Sequence, residues 1–160
     1  MVARQGRLQF DNLDWHANYA PMRAYASSKL ANVMFAVELG RRAQGLLTSA
    51  AVHPGTALTG LQQHTSRLAR VIAGLILEPL IGHSAEEAAA VTIHAATSSD
   101  VVNGGFYAPT GRFEMRGRPG PVRLPKAAAD SDLRERLWQV SEELTGVHYE
   151  FATAAGDGKA

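Results

Sequence analysis

The sequence predicts an α/β fold in which strands and helices alternate. Three observations carry this. Apolar residues from Tyr25 to Arg42 recur at helical spacing. Residues 46–52 form a short apolar run sized for a buried strand, and it closes on His53-Pro54-Gly55. A second short strand at residues 105–108 follows another helical stretch.

Residues 1–15 read as loop, with a short strand expected at 7–10. The helix from Tyr25 to Arg42 places Leu30, Val33, Met34 and Val37 on one side, with Asn32, Glu38, Arg41 and Arg42 elsewhere. Pro21 lies just before it, where a helix start tolerates a missing N–H, and Gly45 lies just after it. The strand at 46–52 ends where open α/β sheets place ligands, outside the carboxyl ends of their strands. Beyond it, residues 57–82 carry a heavily apolar helical face that includes Leu58, Leu61, Leu68, Val71, Ile72, Leu75 and Ile76. Ser84-Ala-Glu-Glu87 is a capping box that opens a helix to about Thr97. After the strand at 105–108 comes a turn at 109–111. Arg112, Arg116, Arg118 and Arg123 lie among Gly and Pro and read as a solvated loop. Asp130 or Ser131 caps a last helix with Leu133, Leu137, Val140 and Leu144 on one face and Gly146 at its end.

Within this frame Tyr25-Ala-Ser-Ser-Lys29 is the stretch with chemistry in it. Residues four apart on a helix sit one turn from each other on one face. An ammonium there favours the ionised form of a phenol, whose pKa of about 10 otherwise makes it a poor acid–base near neutrality. Alone, the spacing also fits a helix with an exposed Lys and a half-buried Tyr.

The order of Tyr25-Ala-Ser-Ser-Lys29, the helix, and the strand ending in His53-Pro54-Gly55 with Thr59 beyond resembles the short-chain dehydrogenase/reductase family. The run from Gly6 to Trp15, followed by Tyr25 to Asn32, resembles its retinol-dehydrogenase-like branch. The resemblance spans about Gly6 to His148. It implies the C-terminal part of a Rossmann-like doubly wound parallel sheet that lacks the N-terminal dinucleotide-binding half. Residues 1–150 would hold the catalytic helix, the substrate loop and the last strands and helices, and residues 151–160 would be a disordered tail.

By the same resemblance, Tyr25 exchanges a proton with the substrate oxygen. Lys29 lowers the Tyr25 pKa and binds the nicotinamide ribose. Pro54, Gly55 and Thr56 wrap the nicotinamide end of NAD or NADP, and Thr59 bonds its carboxamide or pyrophosphate. The apolar face within 57–82 suggests a small apolar alcohol or carbonyl as substrate, though those residues equally suit packing on the sheet. Self-association through the Tyr25–Arg42 helix is the family habit.

The sequence also departs from the family. No Ser or Thr lies between Met1 and Ala24, so the family's catalytic Ser has no counterpart there. Ser27 and Ser28 lie within the helix on other faces. A Gly-rich phosphate loop is absent, because Gly104-Gly105 and the glycines from Gly111 to Gly120 have neither its spacing nor its strand–turn–helix context.

Composition narrows the remaining classes. A net charge of +1 without a basic stripe gives no reason to expect nucleic acid. Having no Cys excludes disulfides and thiol chemistry and suits a reducing cytoplasm. No apolar run is long enough to span a bilayer. The six His are scattered without metal-ligand pairing, and His53 reads as a positioning residue beside Pro54.

Two functions fit these readings. One is an NAD(P)-dependent oxidoreductase of which these 160 residues are a truncated record, inactive alone. The other is a non-catalytic remnant that pairs with another chain through its sheet edge or its Tyr25–Arg42 helix.

Overall fold

The computed structural model describes residues 1–55 and 85–151. The chain is α/β, with a small three-stranded mixed sheet. It divides into two compact units. The first comprises Val2–Ala50, Val102–Gly104 and Leu124–Ala160, and the second comprises Met1, Ala51–Val101 and Gly105–Arg123.

The first unit is built around helix α1, Pro21–Arg42. It starts four residues earlier than the apolar repeat suggested. Pro21 stands at the first helical position, where its missing N–H costs nothing, and Ala24 N–H donates to Ala20 C=O at 2.9 Å. Ala26, Leu30, Val33 and Met34 form its buried stripe. A one-turn 3-10 helix, Val2–Gln5, lies against α1 and buries Ala3. The strand expected at 7–10 is not formed: residues 6–9 are irregular and Phe10 begins a turn. The Arg7 carbonyl is taken instead by the Ser27 hydroxyl of α1 at 2.7 Å.

The short helix α3, Lys126–Ala129, leads to helix α4, Ser131–Thr145, and both pack on α1. Of the two capping candidates, Asp130 takes the position. Its Oδ1 accepts from Asp132 N–H at 3.0 Å and Leu133 N–H at 3.1 Å. Gly146 ends α4 with φ of 68°, the left-handed conformation that favours glycine. The buried side of α4 is Leu137 and Trp138, while Leu144 is exposed.

The second unit holds the sheet. Strand β1 is Ala50–Val52, its first residue belonging to the first unit. It is shorter than the apolar run 46–52 because Leu46 and Leu47 lie exposed in a bend after α1. Strand β2, Gly105–Pro109, is central in the order β1-β2-β3 and buries Phe106, Tyr107 and Ala108. Helix α2, Ala85–Thr97, packs on β2 and β3 through Ala88 and Val91.

Strand β3, Pro119–Pro121, runs antiparallel to β2, pairing Tyr107 with Pro121 and Pro109 with Pro119. The parallel sheet expected from the sequence is therefore mixed where it is described. β3 falls inside the arginine-bearing stretch read as loop. Thr110 N–H donates to Arg118 C=O, and Val122 N–H donates to Phe106 C=O. These bonds put residues 118 and 122 on the side facing β2, so Pro119 and Pro121 point their nitrogens away from it. That is the side of an edge strand where proline is tolerated.

The apolar stretch 57–82, Thr56, Thr59, the Ser84 cap and the tail 152–160 lie outside the described residues. Phe151, at the start of the expected tail, sits 6.1 Å from Tyr149 in a stacked pair. Among the described residues no helix is long and apolar enough to cross a membrane.

Candidate active site

α1 brings Tyr25 and Lys29 together. One helical turn separates them, and the Lys29 Nζ lies 5.5 Å from the Tyr25 ring centroid. Tyr25 is 42% exposed and Lys29 is exposed, so the pair stands on the open side of the helix, away from the buried stripe. Among the described residues, neither the phenolic hydroxyl nor the ammonium has a hydrogen-bond or ion-pair partner. Met22, one turn before Tyr25, is also largely exposed.

The two serines between Tyr25 and Lys29 are engaged elsewhere. Ser27 is buried and its hydroxyl donates to Arg7 C=O at 2.7 Å. Ser28 donates to Tyr25 C=O at 2.9 Å. Neither hydroxyl is held out beside the phenol.

Pro54 and Gly55 belong to the second unit and follow β1 after His53. His53 N–H donates to Tyr107 C=O at 2.8 Å, which fixes the chain at the start of the turn. Gly55 has φ of 82°, so the backbone turns there without a Cβ. The structure thus unites Tyr25 with Lys29 in one unit and Pro54 with Gly55 in the other.

Further along α1, toward its C-terminal end, the helix carries a charge cluster. Glu38 was grouped in the sequence with the polar side, yet it is only 1% exposed. It continues the series Leu30, Met34, Glu38 at four-residue intervals, which was the signal available for its burial. Its carboxylate accepts from Arg41 at 2.5 Å and from Arg42 at 2.8 Å, and Arg134 of α4 approaches at 3.4 Å. Arg42 also reaches Glu135 of α4 at 2.6 Å. Burial alone would raise the Glu38 carboxyl, but hydrogen bonds and charge from Arg41 and Arg42 outweigh it and hold it below its ordinary value. The cluster ties α4 to the helix that bears Tyr25.

Among the described residues no group of His, Asp or Glu could hold a metal ion.

Known proteins resemble the chain along most of its length. It is 32% identical over 148 residues to "Retinol dehydrogenase 12" of Homo sapiens, which covers 91% of this chain and 43% of that protein. It is 34% identical over 148 residues to human "Retinol dehydrogenase 13", covering 89% and 42%. A "Short-chain dehydrogenase/reductase" of Phomopsis amygdali is 31% identical over 147 residues, covering 88% and 44%. This stretch of chain is similar to members of the short-chain dehydrogenase/reductase family. Retinol dehydrogenases are among these relatives, and the match is consistent with the C-terminal part of a short-chain dehydrogenase/reductase domain. A crystal structure of an uncharacterised protein from Mycobacterium paratuberculosis superimposes with a TM-score of 0.69 at 30% identity, covering 94% of this chain and 49% of that one. No family model matches the chain. The chain spans less than half the length of the short-chain dehydrogenases it matches.

Proposed function

We propose that this chain supplies the proton-transfer and ribose-binding part of an NAD(P)-dependent oxidoreductase acting on an apolar alcohol or carbonyl. The observation that carries the reading is the Tyr25–Lys29 pair: adjacent, exposed and without other partners among the described residues. The similarity to retinol dehydrogenases supports the reaction class.

The residues present fit the nicotinamide-ribose end of such a cofactor. A phenol and an ammonium one turn apart offer donors to a diol, and a turn with Gly55 at positive φ lets backbone approach a ring closely. When bound, the cofactor supplies the hydride. Tyr25 hands a proton to the substrate oxygen, or takes one from it, and Lys29 stabilises the phenolate left behind. Pro54, Gly55, Thr56 and Thr59 complete the cofactor contacts in this reading. The rest of the cofactor requires a phosphate cradle that these 160 residues do not contain.

Cofactor titration of the purified chain, followed by nicotinamide fluorescence, sets this reading against a non-catalytic remnant. Submillimolar binding that weakens with Lys29→Met supports the proposed site and overturns the remnant. Absence of binding, both alone and when the chain is joined to the N-terminal half of a related dehydrogenase, supports the remnant.

A further inference from the structure

We propose that the hollow between the N-terminal segment and α1 is a binding site for a small ligand bearing a carboxylate or phosphate group. Its volume is about 260 Å³, and it is lined by Gln5, Arg7, Gln9, Trp15, Arg23 and Ser27, all of the first unit.

The electrostatics favour an anion. Two of the six lining side chains are cations and none is an acid. Among the described residues neither the Arg7 nor the Arg23 guanidinium has a carboxylate partner, and the only recorded interaction of either is Arg23 over the Trp15 ring at 5.9 Å. The loop's own Asp14 carboxylate is engaged by His16 Nδ1 at 2.7 Å. Two unneutralised guanidiniums lining one hollow repel each other and draw in negative charge. Their planar forks match carboxylate and phosphate oxygens. Gln5 and Gln9 add neutral donors and acceptors at the mouth.

The wall is also pre-built. Trp15 is 9% exposed and holds φ of 56°, an uncommon conformation for a bulky residue. The surrounding loop imposes it. Trp15 N–H donates to Asn12 C=O at 3.1 Å. The Asn12 side chain bridges to Ala17 in both directions, donating to its C=O at 2.9 Å and accepting from its N–H at 3.1 Å. Ser27 anchors Arg7 to α1 through the carbonyl bond. Arg7 and Arg23 are therefore presented from two segments that the Ser27 bond holds together, with Arg23 over the indole.

This site is separate from the Tyr25–Lys29 pair. Arg23 and Ser27 are one turn apart on α1. Tyr25 and Lys29 are displaced from them by two residues, roughly 200° around the helix. The inference thus stands independently of the dehydrogenase reading.

The test is an NMR titration of the purified chain, following the Trp15 indole N–H, with that of Trp138 as internal reference. Inorganic phosphate and citrate are the probes, and sodium chloride at matched ionic strength is the control. A saturable shift of Trp15 with phosphate or citrate is expected, with Trp138 unmoved. Arg7→Gln and Arg23→Gln should each weaken it at least tenfold. Gln9→Glu, which places an acid at the hollow, should do the same, and Arg112→Gln in the other unit should leave it unchanged. If Arg23→Gln loses a dispersed spectrum, Arg7→Gln and Gln9→Glu decide. Equal shifts from chloride, no saturable shift from either probe, or variants that titrate like the parent would overturn the proposal.

Discussion

Arg42 stands over the Trp138 ring, 4.7 Å from its centroid, while its guanidinium also bonds Glu38 and Glu135. One side chain thus joins α1 to α4 by a charged face and an aromatic face at once. Arg42→Lys keeps the charge but loses the planar fork and the stacked contact. It should lower stability by about 1–2 kcal/mol, and Arg42→Ala by more. Urea denaturation of both variants checks the order.

Glu38→Gln should be the more damaging change. It leaves Arg41, Arg42 and Arg134 around a buried neutral group, and breaking one partner of a buried ion pair costs about 3–5 kcal/mol. A midpoint indistinguishable from the parent's would show that the cluster contributes nothing.

Stability should also depend on pH through Glu38. Its folded-state pKa lies below its ordinary 4.5. Above that value the carboxylate is ionised whether the chain is folded or not, and its full contribution is present. As pH falls below 4.5, the unfolded chain takes up the proton first, so stability declines through the folded pKa. The difference in melting temperature between parent and Glu38→Gln should therefore be constant near neutrality and shrink below about pH 4.5.

On the proposed reading, Tyr25→Phe in a longer form that also carries the phosphate-binding half should lower turnover by about 10²–10⁴-fold, the range for loss of a general acid–base, with cofactor affinity nearly unchanged. Lys29→Met should harm both. Retention of most activity by the Phe variant would remove Tyr25 from the chemistry.

Gly40→Ala tests a close approach. A Cβ at Gly40 would collide with the Asn103 side chain. That side chain donates to Gly40 C=O at 2.8 Å and accepts from Ser49 N–H at 2.8 Å. The substitution should cost about 1–3 kcal/mol through overpacking, measured by thermal melting.

Much of this was legible in the residues because the signals were local. Pro21, the Leu30–Val33–Met34 repeat, Asp130 and Gly146 each act within one helical turn, and the helices lie where those residues indicate. Tyr25 and Lys29 meet for the same reason. What was missed depends on distant partners. Glu38 is acceptable in a buried stripe partly because Arg134, 96 residues away, approaches it. β3 was unreadable because its Pro-Gly-Pro sequence denies strand propensity, and its ladder comes from β2. The hollow at Arg7 and Arg23 depends on how residues 5–15 fold back against α1, which spacing along the chain does not reveal.

The prolines of β3 have a consequence for how the sheet can meet other chains. On the side of β3 turned away from β2, residues 119 and 121 offer carbonyls but no N–H groups. An incoming strand would find acceptors without donors, and a reciprocal ladder could not close. The sheet is thus guarded against edge-to-edge growth along β3. Among the described strands the opposite edge is β1, which carries no proline and leads within two residues to Pro54.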